Sequence, residues 1–104
     1  MIATTRFDAA EYLDTPERQA AYIMAAFETG DPVFVRDAIG LVARARGMTK
    51  VAEAAALNRE SLCRALGATG NPEFGTMMRI LRALGLTLTA RPAASRRAPK
   101  KRSA

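Results

Sequence analysis

Residues 58–64, Asn-Arg-Glu-Ser-Leu-Cys-Arg, gather strong hydrogen-bonding chemistry into one short stretch. Arg59 and Arg64 can donate paired bonds to a guanine edge or anchor on phosphate, and Glu60 can accept from a cytosine amino group. Asn58 is equally suited to capping a helix. Cys63 falls among them, and the plain reading of an isolated cysteine is a small, unreactive side chain. For Arg59 and Arg64 the plain reading is ion pairing with Glu60 on a solvated helix face. Thr49 and Lys50 stand where a preceding helix begins, a position that favours a backbone phosphate. Asn71, Thr76 and Arg79, around the start of a later helix, are weaker phosphate candidates.

The groups the chain lacks exclude more. It has 104 residues, no His, one Cys and no Trp. Ser–His and Cys–His nucleophile pairs are impossible, as is any His-containing or thiolate-cluster metal site. Carboxylate acid–base chemistry would need two carboxylates facing each other across a pocket, which so short a chain rarely encloses. The expectation is a non-enzyme with no cofactor and no metal. One Cys makes no internal disulfide and suits a reducing cytoplasm. No apolar run approaches the roughly 18 residues of a membrane-spanning helix, and the first residues lack the apolar stretch of a secretory signal.

Charge is segregated along the chain. Residues 1–37 hold three basic and seven acidic side chains, a net of −4, whereas residues 38–104 hold thirteen basic and three acidic, a net of +10. An acidic front and a basic back imply two surfaces with different partners, the basic one favouring a polyanion.

Punctuation along the chain predicts the elements that position these side chains. Asp14-Thr15-Pro16 and Asp31-Pro32 start two helices, and Gly30 and Gly47 stop them. Ala20, Ile23, Met24 and Phe27 form the apolar stripe of the first helix. In the second, Val35, Ala38, Ile39 and Val42 form the stripe, Phe34, Leu41 and Ala45 widen it, and Arg36, Gly40 and Arg44 lie opposite. Residues 48–56 predict a short helix capped by Thr49, and Asn58 caps another from Arg59 to Leu66. A last helix runs from Glu73 to Leu84, with Phe74, Met77, Met78, Leu81 and Leu84 on one face and Gly85 as its stop. Leu86-Thr-Leu-Thr-Ala90 alternates as a strand does and needs a partner, such as its own copy in a dimer. The expected organisation is an N-terminal arm (1–14), in which Phe7 to Leu13 can form a helical turn, a helical domain (15–92), and a disordered basic tail (93–104). The fold class is all-α, about five helices with one short C-terminal strand.

Residues 48–67 read as helix, tight turn, helix. Val51, Ala55, Leu57, Leu62 and Ala65 fall where such a pair contacts itself and the core, with small Ala52 at the crossing. The ninth place, where the turn favours a left-handed backbone and hence Gly, is Ala56. This geometry would present Asn58, Arg59, Glu60, Cys63 and Arg64 to a DNA groove.

The chain resembles the probable addiction module antidote family, antitoxins of bacterial type II toxin–antitoxin modules with a Cro/C1-like, lambda-repressor-like helix-turn-helix. The likeness is carried by Phe-Asp-Ala-Ala-Glu-Tyr-Leu-Asp-Thr-Pro-Glu (7–17), Glu-Thr-Gly-Asp-Pro (28–32), Val-Ala-Arg-Ala-Arg-Gly-Met-Thr (42–49), Asn-Arg-Glu-Ser-Leu (58–62), Gly-Asn-Pro-Glu-Phe (70–74) and Arg-Ala-Leu-Gly-Leu-Thr-Leu (82–88). The family has Gly-Leu-Ser where Ala56, Leu57 and Asn58 stand here, and often an aromatic at Cys63. The resemblance implies a homodimer on a palindromic operator in double-stranded DNA. It also implies a RelE/ParE-like toxin from the same operon, which the protein neutralises while repressing their shared promoter. A stand-alone repressor and an interaction module without DNA binding are the alternatives.

Overall fold

A computed structural model of the chain describes residues 12–93. Within them lie five helices: α1 (Pro16–Glu28), α2 (Pro32–Arg46), α3 (Met48–Ala54), α4 (Arg59–Ala65) and α5 (Phe74–Ala83). The start signals act as the sequence predicts. Thr15 Oγ1 accepts the Arg18 amide, Asp31 Oδ1 accepts the amides of Val33 and Phe34, and a proline fills the first turn of both α1 and α2. The two side chains satisfy donors that the helix itself leaves unpaired, and the prolines remove one such donor each. The third start differs from expectation. Gly47 ends α2 and begins α3 at once, so α3 opens on Met48 without a side-chain cap and Thr49 lies inside it.

Leu13, Ile39, Val42, Leu62, Ile80 and Leu84 are the largest fully buried side chains. Each contributes about 1.5–3 kcal/mol through removal from water. They come from four separate stretches, which is how helices too short to be stable alone come to hold together. α1 packs on α2, α2 on α3, and α3 also on α4 and α5.

Several expectations about faces are corrected. Gly40 is buried, because Leu66 at the end of α4 packs over it; the missing side chain leaves room for that approach. Arg36, on the same side of α2, donates from Nη1 to the Gly70 carbonyl. Phe74 is 73% exposed instead of core, being the first residue of α5 and beyond the reach of the stripe that Ile80 and Leu81 bury. Met24 and Phe27 of α1 are also exposed. Residues 86–90 form no strand, and no strand occurs among the described residues. A strand requires a ladder partner, and the described residues offer none there.

The proposed arm and tail fall mostly outside the described residues. Leu13 packs into the core as foreseen, while Phe7 lies outside them. No helix of the described residues is long and apolar enough to cross a membrane.

A buried polar network ties the ends together. Gln19 is the one buried polar side chain among the described residues. Its Nε2 donates to the Leu13 carbonyl at 3.0 Å, and its Oε1 accepts from Arg46 Nε at 2.6 Å. Arg46 Nη2 then donates to the Leu84 carbonyl at 2.7 Å. The network joins the segment before α1 to the ends of α2 and α5, and so fixes the frame on which α3 and α4 sit.

Candidate nucleic-acid interface

The turn between α3 and α4 sets the direction of α4. At its centre Ala56 has φ 60°, and it is the non-glycine residue at positive φ among those described. The Ala56 amide donates to the Glu53 carbonyl and the Leu57 amide to the Ala52 carbonyl, 3.1 and 2.9 Å. This reciprocal pair is the usual termination around a left-handed residue. α5 ends the same way, with Gly85 amide to Arg82 carbonyl and Leu86 amide to Leu81 carbonyl, but there a glycine takes the left-handed position at φ 77°. The spacing had placed that demand on residue 56, and the backbone meets it with alanine.

Arg79 holds the turn from below. Its Nε donates to the Ala55 carbonyl at 3.1 Å and its Nη2 to the Ala56 carbonyl at 2.9 Å. The side chain considered for phosphate is therefore a clamp on the carbonyls that end α3. Sequence reasoning missed this role, since 23 residues separate the partners.

Asn58 caps α4, its Oδ1 accepting the Ser61 amide at 2.7 Å. Leu62 is fully buried, so the opposite side of α4 faces out. At about 100° per residue, Arg59, Cys63, Glu60 and Arg64 span an arc of about 140° on that side. All four are exposed. The Glu60–Arg64 ion pair that would have explained both charges does not form; the ion pairs among the described residues are Arg18–Asp14, Arg36–Asp37 and Arg91–Glu28. Arg59 and Arg64 have no hydrogen-bond partner among the described residues either. Two exposed guanidiniums thus stand beside a carboxylate and a thiol, without a partner among the described residues.

Thr49 and Lys50 are exposed on the first turn of α3. Asn71 is exposed and Thr76 half-buried, at either side of exposed Phe74. The loop carrying Asn71 is pressed onto α4. A Cβ on Gly70 would strike the Ala65 and Arg64 carbonyls, so glycine is required there by space. The structure thus brings Asn58, Arg59, Glu60, Cys63 and Arg64 onto one short helix, with Thr49 and Lys50 on its neighbour, and takes Arg79 into the scaffold.

The comparisons bear on what this frame is for. The family described as probable addiction module antidote protein matches residues 3–92. The chain belongs to that family. A protein of Haemophilus influenzae described as uncharacterized is 39% identical to this antidote over 80 residues, covering 77% of this chain and 82% of that protein. No solved structure matches the chain. Membership gives the chain the role of an antitoxin in a toxin–antitoxin module, with a toxin as its partner.

Proposed function

We propose that the antidote also binds DNA in a sequence-specific manner, as a homodimer on a palindromic operator, and represses its own operon in the cytoplasm. α3 and α4 act as the helix-turn-helix, inside a domain spanning residues 15–92. The observation that carries this reading is the outward face of α4, where Arg59 and Arg64 present guanidiniums without a partner among the described residues on a helix short enough to enter a major groove. Arg59, Glu60, Cys63 and Arg64 read base edges, Asn58 orients the helix by capping it, and Thr49, Lys50, Asn71 and Thr76 approach the backbone. Arg79 contributes by holding the turn. Two copies place their recognition helices about 34 Å apart, one helical turn of DNA. The basic tail adds sequence-independent affinity that weakens with salt.

The toxin is of the RelE/ParE-like type, basic, and attracted by the acidic front of the chain. Among the described residues there, Asp14, Glu28 and Asp37 are ion-paired and Asp31 caps α2, so these four act as a field and not as a row of free carboxylates. Glu17 is the acid of α1 without a partner among the described residues.

Capture of the neighbouring gene product, run beside a gel shift on the operon's own promoter, tests the reading. It predicts that the protein takes both. Capture without promoter binding would leave an interaction module, and promoter binding without a partner would leave a stand-alone repressor.

A further inference from the structure

The segment that fails to form a strand is placed as if one were missing beside it. Leu86 uses its amide to close α5, bonding the Leu81 carbonyl at 2.9 Å. From Thr87 to Ala90 no backbone group has a hydrogen-bond partner among the described residues. The segment lies along α1, and Ile23, Met24, Phe27, Leu81, Leu86 and Leu88 line a groove of about 890 Å³ between them. Met24 is 52% and Leu88 37% exposed. At the groove's edge Arg91 pairs with Glu28 of α1 at 3.2 Å.

We propose that this edge is the contact between two copies of the chain. Residues 86–90 of the copies pair antiparallel about a twofold axis, and Met24, Phe27 and Leu88 of each are covered by the other. The proposal deepens the dimeric DNA-binding reading and rests on it for the need of a dimer.

Charge selects a second copy over other occupants. The chain carries +6, so two copies repel over much of their surface. Residues 83–90, Ala-Leu-Gly-Leu-Thr-Leu-Thr-Ala, carry no charge, and the flanking Arg91 is neutralised by the chain's own Glu28. Two copies meet here without like charges facing each other. A basic toxin would find no free carboxylate in this strip, and DNA no free cation.

The side-chain pattern is self-complementary, as a twofold contact demands. With the axis at residue 88, Leu88 faces its own copy and Thr87 faces Thr89, pairs that favour an antiparallel ladder. The register keeps leucines on the groove side, and a slip of one residue would turn them to water.

Full-length Leu88→Glu and Leu88→Lys, compared with the wild type by sedimentation equilibrium, test this. The wild type is expected to be a dimer. Each variant should raise the dimer dissociation constant at least about 30-fold, the loss of a strong interface contact. An equimolar mixture of the two should recover the dimer, because Glu then faces Lys. Leu88→Cys in a Cys63→Ser background should form an interchain disulfide on mild oxidation, a readout that adds no charge. A monomeric wild type, variants that dimerise as the wild type does, a mixture no better than its components, or no cross-link would each overturn the proposal. So would loss of toxin capture by Leu88→Glu with its self-association unchanged. A single operator half-site, titrated in parallel, keeps the two readings apart. Leu88→Glu should bind it as the wild type does; a dimer that behaves as described but ignores the half-site would defeat the DNA reading and leave this contact standing.

Discussion

Arg79 Nη2 donates to the carbonyl of Ala56, 2.9 Å away, and Ala56 is the alanine that stands at φ 60° in the turn before α4. The residue with the least comfortable backbone in the described chain is thus held by a charged donor from α5. That relationship makes the orientation of α4 depend on a helix that sequence reading had treated as a source of phosphate contacts. It predicts that Arg79→Ala and Arg79→Lys both lower stability, by about 1–2 kcal/mol, since lysine cannot present two donors in a fork. Urea unfolding measures it. Lysine retaining full stability would return Arg79 to the role of a simple positive charge.

Ala56→Gly should stabilise the fold by about 0.5–1 kcal/mol, because glycine relieves the left-handed strain while giving back part of the gain as unfolded-state entropy. The parallel turn at Gly85 already has the residue this geometry prefers. A rise in urea midpoint at constant slope is the expected signature. A fall would mean that the alanine methyl is itself a packing contact.

Gln19→Ala removes one partner from both the Leu13 carbonyl and Arg46 Nε, groups bonded at 3.0 and 2.6 Å. Leaving them unpaired beside the core should cost about 1–3 kcal/mol. Thermal unfolding of the variant checks this, with Glu17→Ala, an exposed neighbour, expected to change little.

Local grammar explains why much of the fold was legible in the sequence. Thr15-Pro16 and Asp31-Pro32 begin helices because the cap and the ring act on the adjacent backbone, and Gly30, Gly47 and Gly85 end them at positive φ. Ala56 could be foreseen at positive φ from the spacing of the two short helices alone. The outward face of α4 was legible because Leu62 fixes which side is inward. The network through Gln19 and Arg46, and the clamp at Arg79, were not legible, since each joins residues distant in sequence through a guanidinium that reads as surface charge. Phe74, Met24 and Phe27 were misplaced for a related reason. Periodicity marks an apolar stripe but not how far the neighbouring helix extends along it. Residues 86–90 have a strand's pattern, but the pattern carries no information about whether a partner exists in the same chain.

Cys63 lies within the arc proposed to face DNA and is exposed as a free thiol. A thiol reagent should modify it in the folded protein, and operator DNA should protect it. A negatively charged adduct at that position should abolish specific binding by repelling phosphate. Unchanged reactivity in the presence of saturating operator would place DNA on another face.

The proposed DNA binding depends most on Arg59 and Arg64, whose guanidiniums have no partner among the described residues. Titrating promoter DNA with wild type, Arg59→Ala and Arg64→Ala across a series of salt concentrations addresses this directly. A side chain that reads a base should lose about 1–3 kcal/mol of specific affinity on truncation, and one that anchors on phosphate should lower the salt slope by about 1. At least one of these changes is predicted for each variant; wild-type affinity and slope in both would contradict the assignment of α4 as the reading helix.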